Sequence, residues 1–161
     1  TFFGCASSKP VLPEPFPVPH NRYLQEIEKS PQEWHGKILG IRGVVSQIES
    51  GPGGKPHLRL DALGPSERHY SLWVGSVFTP PDGWLAVGHT VRVVGWYTFV
   101  PAFEAEPGVS TRLAGGYHLL AQCIANDTTS RALMFPGGSE QCERWLRGEH
   151  PERLQPRPDD H

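Results

Sequence analysis

Histidine is the residue here with most scope for chemistry, since a neutral imidazole binds metals and titrates near neutral pH. The eight histidines are scattered: His20, His35, His57, His69, His89, His118, His150 and His161. His57 and His69 fall on neighbouring predicted strands, where two facing imidazoles would hold a surface metal or form a pH-sensitive pair. The plainer expectation is two solvated strand residues. No C-x-x-C or H-x-x-x-H pair provides the usual zinc-ligand spacing. Asp61, Glu67 and Asp82 show no pairing suited to acid–base catalysis. A G-x-S-x-G elbow, a Walker loop and a G-x-G-x-x-G turn are all missing from the sequence. These patterns predict no enzyme, no cofactor and no metal.

Aromatic side chains offer a second kind of chemistry, stacking on flat ligands. Tyr70, Trp73, Trp96 and Tyr97 fall on predicted strands, and such rings contribute roughly 1–3 kcal/mol per stacked base. A nucleic acid also needs a positive groove. The net charge is -2, and Arg42, Lys55, Arg59, Arg68 and Arg92 are offset by nearby acids, so nucleic acid is an unlikely partner on this sequence. The expected role of the rings is in a core or a protein interface. The surface singled out is Trp73, Trp96 and Tyr97 with the loop Phe99 to Phe103. There Phe99, Val100 and Phe103 stand near prolines with little other reason to be exposed. Two alternatives are a periplasmic glycan or small-ligand binder, with the same rings as sugar platforms, and a single-stranded nucleic-acid binder.

Strands must carry these residues. In Leu85 to Phe99, LAVGHTVRVVGWYTF, Val91, Val93 and Gly95 alternate with Arg92, Val94 and Trp96 after a tight turn at Gly88. Period-two alternation of β-branched residues marks a strand with one face on a core, and a late glycine marks a bulge or bend. Trp34 to Ile48, WHGKILGIRGVVSQI, repeats the pattern with Gly40 and Gly43. Further strands are expected at Ile38 to Ile48, His57 to Ala62, His69 to Val74 and Tyr117 to Ile124, separated by Gly/Pro-rich turns. Val77 to Gly88 supports only a turn around Trp84 and Leu85, and Pro101 to Gly116 reads as a long loop. A helix is expected within Asn21 to His35, capped by Asn21 and restarting at Ser30 with Pro31 in first position. Trp34 is expected to anchor on the barrel mouth. A two-turn helix over Glu140 to Arg147 and a solvated proline-containing tail complete the chain.

A helix, three strands, a broken connection and two more strands resembles the oligonucleotide/oligosaccharide-binding (OB) fold. Trp34, His35, Gly36 and Lys37 before the first strand carry the resemblance, with Leu85, Gly88, His89, Val91, Val93 and Gly95 around the fourth. It spans roughly Asn21 to Asn126, and the helix usual between the third and fourth strands is eroded. It implies a mainly β fold, a small five-stranded barrel with a short N-terminal helix. Another barrel or a sandwich is the alternative. At 161 residues, with 37% hydrophobic content, 18 glycines and 17 prolines, the chain suits one such domain with irregular extensions.

Thr1 to Ser8, TFFGCASS, resembles the end of a bacterial lipoprotein signal, with Phe2 where leucine is preferred. The resemblance implies that Cys5 becomes the acylated N-terminus, and Ala6 in place of Asp points to the outer membrane, facing the periplasm or the cell surface. An ordinary cysteine in an unstructured terminus is the alternative. A chain that starts at threonine is expected to be recorded from inside a signal peptide. No run of about 18 apolar residues reads as a membrane-spanning helix. Lys9 to His20, KPVLPEPFPVPH, favours polyproline II, a semi-rigid spacer of roughly 35–40 Å. The expected organisation is residues 1–5 as signal end and lipidation site, 6–20 as tether, 21–126 as barrel and 127–161 as C-terminal extension. With Cys5 acylated, Cys123 and Cys142 remain as an even pair in an oxidising compartment. A disulfide between them would staple the C-terminal helix to the last strand. Two separate buried thiols, or a zinc site with His118, stay open. Together these expectations describe a lipid-anchored, non-catalytic subunit docking onto protein partners of an envelope complex.

Overall fold

The computed structural model describes residues 7–10, 18–50, 55–76, 83–101, 103–104, 112–113, 115–134, 142 and 144–145. The elements in chain order are Ser7–Pro10 (β1), Leu24–Lys29 (α1), Ile38–Ser50 (β2), Pro56–Leu63 (β3), His69–Ser76 (β4), Thr90–Val100 (β5), Phe103–Glu104 (β6), Arg112–Leu113 (β7), Gly116–Asn126 (β8) and Arg131–Met134 (β9). The protein is mainly β and contains the closed five-stranded barrel.

One long strand starts the closure. Residues 38–44 of β2 pair with β5, and residues 44–50 pair with β3, so β2 curls between two neighbours. β3 pairs with β4, and β4 meets β8 in parallel only over Val74–Ser76. β8 then runs antiparallel to β5 and completes the ring. Closure removes the exposed edges that an open sheet of this size would present.

Two glycines make the ring possible. Gly88 adopts φ +94°, a backbone region that disfavours side chains, in the turn before β5. That turn is tied to β2: the Gly88 N–H donates to the Val45 carbonyl at 2.8 Å, and the Val45 N–H donates to the His89 carbonyl at 2.9 Å. Gly95 sits where the β5–β8 register shifts. A Cβ there would stand 2.1 Å from the Leu120 carbonyl oxygen. The late glycine in the alternating stretch therefore marks a bulge, as its pattern implies.

Inward positions Ile41, Val45, Leu58, Leu60, Val74, Val91, Val93, Leu119 and Ile124 are fully buried, and Leu24 and Ile27 of α1 join the same core. Each such side chain contributes about 1.5–3 kcal/mol on burial. A second, smaller core lies on the outer wall. There Ile38, Val94, Cys123 and Ala125 are covered by Cys142 and Trp145, with Trp96 packed against them. Cys123 and Cys142 are paired at disulfide distance, with Cα atoms 5.8 Å apart. The covalent link and the buried indole together fix the C-terminal helical turn on the barrel.

The helical region is more broken than its pattern suggests. Asn21–Tyr23 and Pro31–Trp34 are 3₁₀ turns flanking the six residues of α1. Asn21 does not cap a helix. Its amide donates to the Arg42 and Leu63 carbonyls at 2.9 and 3.0 Å, and its oxygen accepts from the Arg42 N–H at 2.7 Å. The side chain is thus committed to the barrel wall. Ser30 makes no side-chain cap either, although Pro31 does open its turn. Four short strands escape the sequence pattern: β9 pairs with β8, β1 pairs with β9, and β6 pairs with β7 within Pro101 to Gly116, expected to be a long loop. Cys5, residues 11–17 of the proline-rich stretch and the tail 146–161 lie outside the described residues. So does most of the expected helix 140–147, of which Cys142, Arg144 and Trp145 are helical.

Candidate binding site

The mouth of the barrel nearest α1 is lined with aromatic rings. Tyr97 comes from β5 and Tyr117 from β8, and the two rings stack with centroids 5.4 Å apart and planes 18° apart. Phe99, two residues along the same face of β5, sets its ring edge-on to Tyr117 at 5.6 Å. His35 approaches Tyr117 from the opposite segment at 6.0 Å. The Trp34–Lys37 stretch positions this group directly: the Gly36 N–H donates to the Tyr97 carbonyl at 2.7 Å, and the Tyr97 N–H donates to the Lys37 carbonyl at 2.9 Å. Burial, with the Tyr117 phenol adding to it, pushes the Tyr97 hydroxyl up to about 12. Tyr97 is therefore a neutral phenol at physiological pH.

Beside these rings lies a cleft of about 240 Å³. Tyr97 and Tyr117 form part of its lining, with Tyr70 and Trp73 of β4 on a second side and Leu24, Ile27 and Pro31 on a third. The short β4–β8 contact explains the opening. β4 pairs with β8 only at its last residues, so Tyr70–Trp73 face the helical segment across a gap. Glu28 stands at the rim and accepts a hydrogen bond from Arg68 at 3.1 Å, while the Arg68 guanidinium lies 4.8 Å from the centre of the Tyr70 ring.

The sequence-selected residues divide between faces. Trp73 and Tyr97 both line the cleft, and Phe99 stands at its margin with 57% exposure. Trp96 points the other way and packs on the outer core beneath Trp145. That follows from strand alternation: neighbours on β5 face opposite sides. The Phe103 side chain lies outside the described residues, though its backbone pairs with Leu113 in a separate two-stranded sheet. Tyr117, the ring that links Tyr97 to Phe99, is missing from the sequence-based set. Its alternation with Leu119 and Ala121 marks an inward position but not its place at the barrel mouth. Trp34 packs against the main core beside His20 and Tyr23, an anchor as expected.

His57 and His69 do not face each other. Register places His57 opposite Gly75 and His69 opposite Leu63. His69 is exposed, with Nδ1 2.8 Å from Asp61 Oδ1. His57, expected to be solvated, is only 5% exposed and lies against His118 and Trp73. The outer wall also carries Arg59, whose guanidinium is 5.9 Å from the Trp73 ring centre.

No protein-family model matches this chain, and no curated protein matches it either.

Proposed function

We propose that the chain is a non-catalytic envelope lipoprotein that docks onto a protein partner as an accessory or assembly subunit. Phe99 is the observation that carries docking. Its ring is 57% exposed yet braced against Tyr117, so it offers rigid apolar area with little rotamer entropy left to lose. The cleft beside it holds about 240 Å³, below the roughly 300–1,000 Å³ of pockets that enclose drug-sized ligands. That volume suits one large side chain of a partner. Four aromatic rings, with the Arg68–Glu28 ion pair at the rim, favour an apolar or aromatic partner residue. The anchor rests on TFFGCASS and the proline-rich stretch behind it, with acylation at Cys5 and an outer-membrane, periplasm-facing position.

A photo-crosslinking amino acid at Phe99, activated in native membranes, tests the docking face. Docking predicts a protein adduct of one discrete mass that is lost when Tyr117→Ala is added, and none from a crosslinker at Leu63. Equal adducts from both positions, or none from Phe99, would refute it. Protection of the adduct by peptidoglycan fragments would instead assign the cleft to a glycan, a use the stacked Tyr97–Tyr117 pair also permits.

A further inference from the structure

The segment just past Cys5 is bound to the barrel. Ser7–Pro10 forms β1, and each of its residues has a register partner on β9: Ser7 opposite Met134, Ser8 opposite Leu133, Lys9 opposite Ala132 and Pro10 opposite Arg131. β9 in turn pairs with β8, with Met134 opposite Cys123 and Arg131 opposite Asn126. β1 is therefore the outermost strand of a ladder that runs through β9 into the barrel wall. The chain is fixed again at His20, which is 2% exposed. Its Nδ1 accepts from the Gly40 N–H at 2.9 Å, and its own backbone N–H donates to the Gly40 carbonyl at 3.2 Å. Asn21 follows, with its hydrogen bonds to Arg42 and Leu63.

These two attachments set how much chain separates the barrel from Cys5. A spacer acts only through the residues between the anchor and the first point of attachment. Cys5 stands two residues before Ser7, a reach of at most about 7 Å. Residues 11–17 join two points that the barrel already holds, so their length adds nothing to the separation. Were β1 unpaired, the first attachment would be His20, and the proline-rich stretch would reach roughly 35–40 Å. The two arrangements differ in height above the anchor by about 30 Å.

We propose, building on the lipid-anchor reading above, that β1 clamps the β9 flank of the barrel against the phospholipid surface that holds the acyl chains of Cys5. Lys9 on β1 and the exposed Arg131 on β9 lie on the paired strands, and cationic side chains at that height are drawn to anionic headgroups. Tyr117 lies on β8 six residues from Cys123, about 20 Å along the strand. The clamp therefore keeps the docking cleft near the membrane, where a membrane-bound partner reaches it.

The test uses the acylated full chain in phosphatidylethanolamine/phosphatidylglycerol vesicles that carry an energy acceptor on their headgroups. A donor dye is attached through Thr129→Cys, an exposed position in the β8–β9 turn. Strong quenching of the dye is expected, falling by about half or more in Ser8→Pro/Lys9→Pro, whose prolines give up ladder N–H donors. If that variant fails to fold, a disulfide between Ser8→Cys and Leu133→Cys, opposite each other in register, decides instead: locking β1 onto β9 should leave the quenching unchanged. Weak quenching of the acylated parent, equal quenching with the prolines in place, or a rise on locking would overturn the clamp and leave the anchor standing. A chain with unmodified Cys5 that does not bind vesicles would overturn both.

Discussion

Alanine at Gly95 would strike the closure of the barrel directly. Its Cβ would stand 2.1 Å from the Leu120 carbonyl oxygen, 2.6 Å from that carbonyl carbon and 2.9 Å from the Ala121 Cα. All three are backbone atoms of β8, so no rotamer change makes room. Ordinary contact begins near 3.4 Å, so β5 and β8 must separate by more than about 1 Å at a point where both are fully packed. Overpacking typically costs about 1–3 kcal/mol, and a backbone obstacle puts this site at the upper end, about 3 kcal/mol. Gly88→Ala is the internal comparison. Nothing lies within 4 Å of a Cβ there, and φ is +94°, so only backbone strain remains, about 1–2 kcal/mol. Urea unfolding followed by tryptophan fluorescence reads both. With an m-value of about 1.5 kcal/mol/M, Gly95→Ala should lower the midpoint by about 2 M, about twice the shift for Gly88→Ala. A Gly95→Ala protein within about 0.5 kcal/mol of the parent, or more stable than Gly88→Ala, would refute the bulge as the device that closes the ring.

Further outcomes follow from other contacts. Cys142→Ser opens a crosslink across a sequence separation of 19 residues and should cost about 3 kcal/mol, with a matching loss in the parent under reductant, both read by urea melts. Asp127→Ala removes the carboxylate that holds the 4% exposed Arg92 at 2.8 Å. Losing that ion pair should cost about 1.5–3 kcal/mol in the same assay. Tyr97 titrates near 10 when unfolded and at about 12 when folded, so its contribution is intact below pH 10 and lost as the pH rises towards 12. The full loss is about 3 kcal/mol, and Tyr97→Phe should flatten the alkaline limb of the stability–pH curve.

The barrel was legible because its strands carry strong local signals. β5 alternates β-branched residues, Gly88 and Gly95 punctuate it, and the β3–β4 hairpin is bounded by turn residues. β1 and β9 were not legible, because short edge pairings depend on a distant partner and leave no periodicity. Asn21 shows a related failure: its amide suits a helix cap, but the tertiary hydrogen bonds to Arg42 and Leu63 win. At the site, alternation alone separates Trp96 from Tyr97, yet both were placed on one surface because they are adjacent aromatics. His57 has an outward position on β3 and so reads as solvated. Only the approach of β8, with His118, buries it.

Intact mass of the protein purified from its native membrane tests the central claim, a lipid-anchored docking barrel, most directly. The account predicts a chain that begins at Cys5, carries fatty acyl groups and lacks the two hydrogens of a Cys123–Cys142 disulfide. An unmodified Cys5 in a chain with a free amino terminus at Thr1 would contradict it.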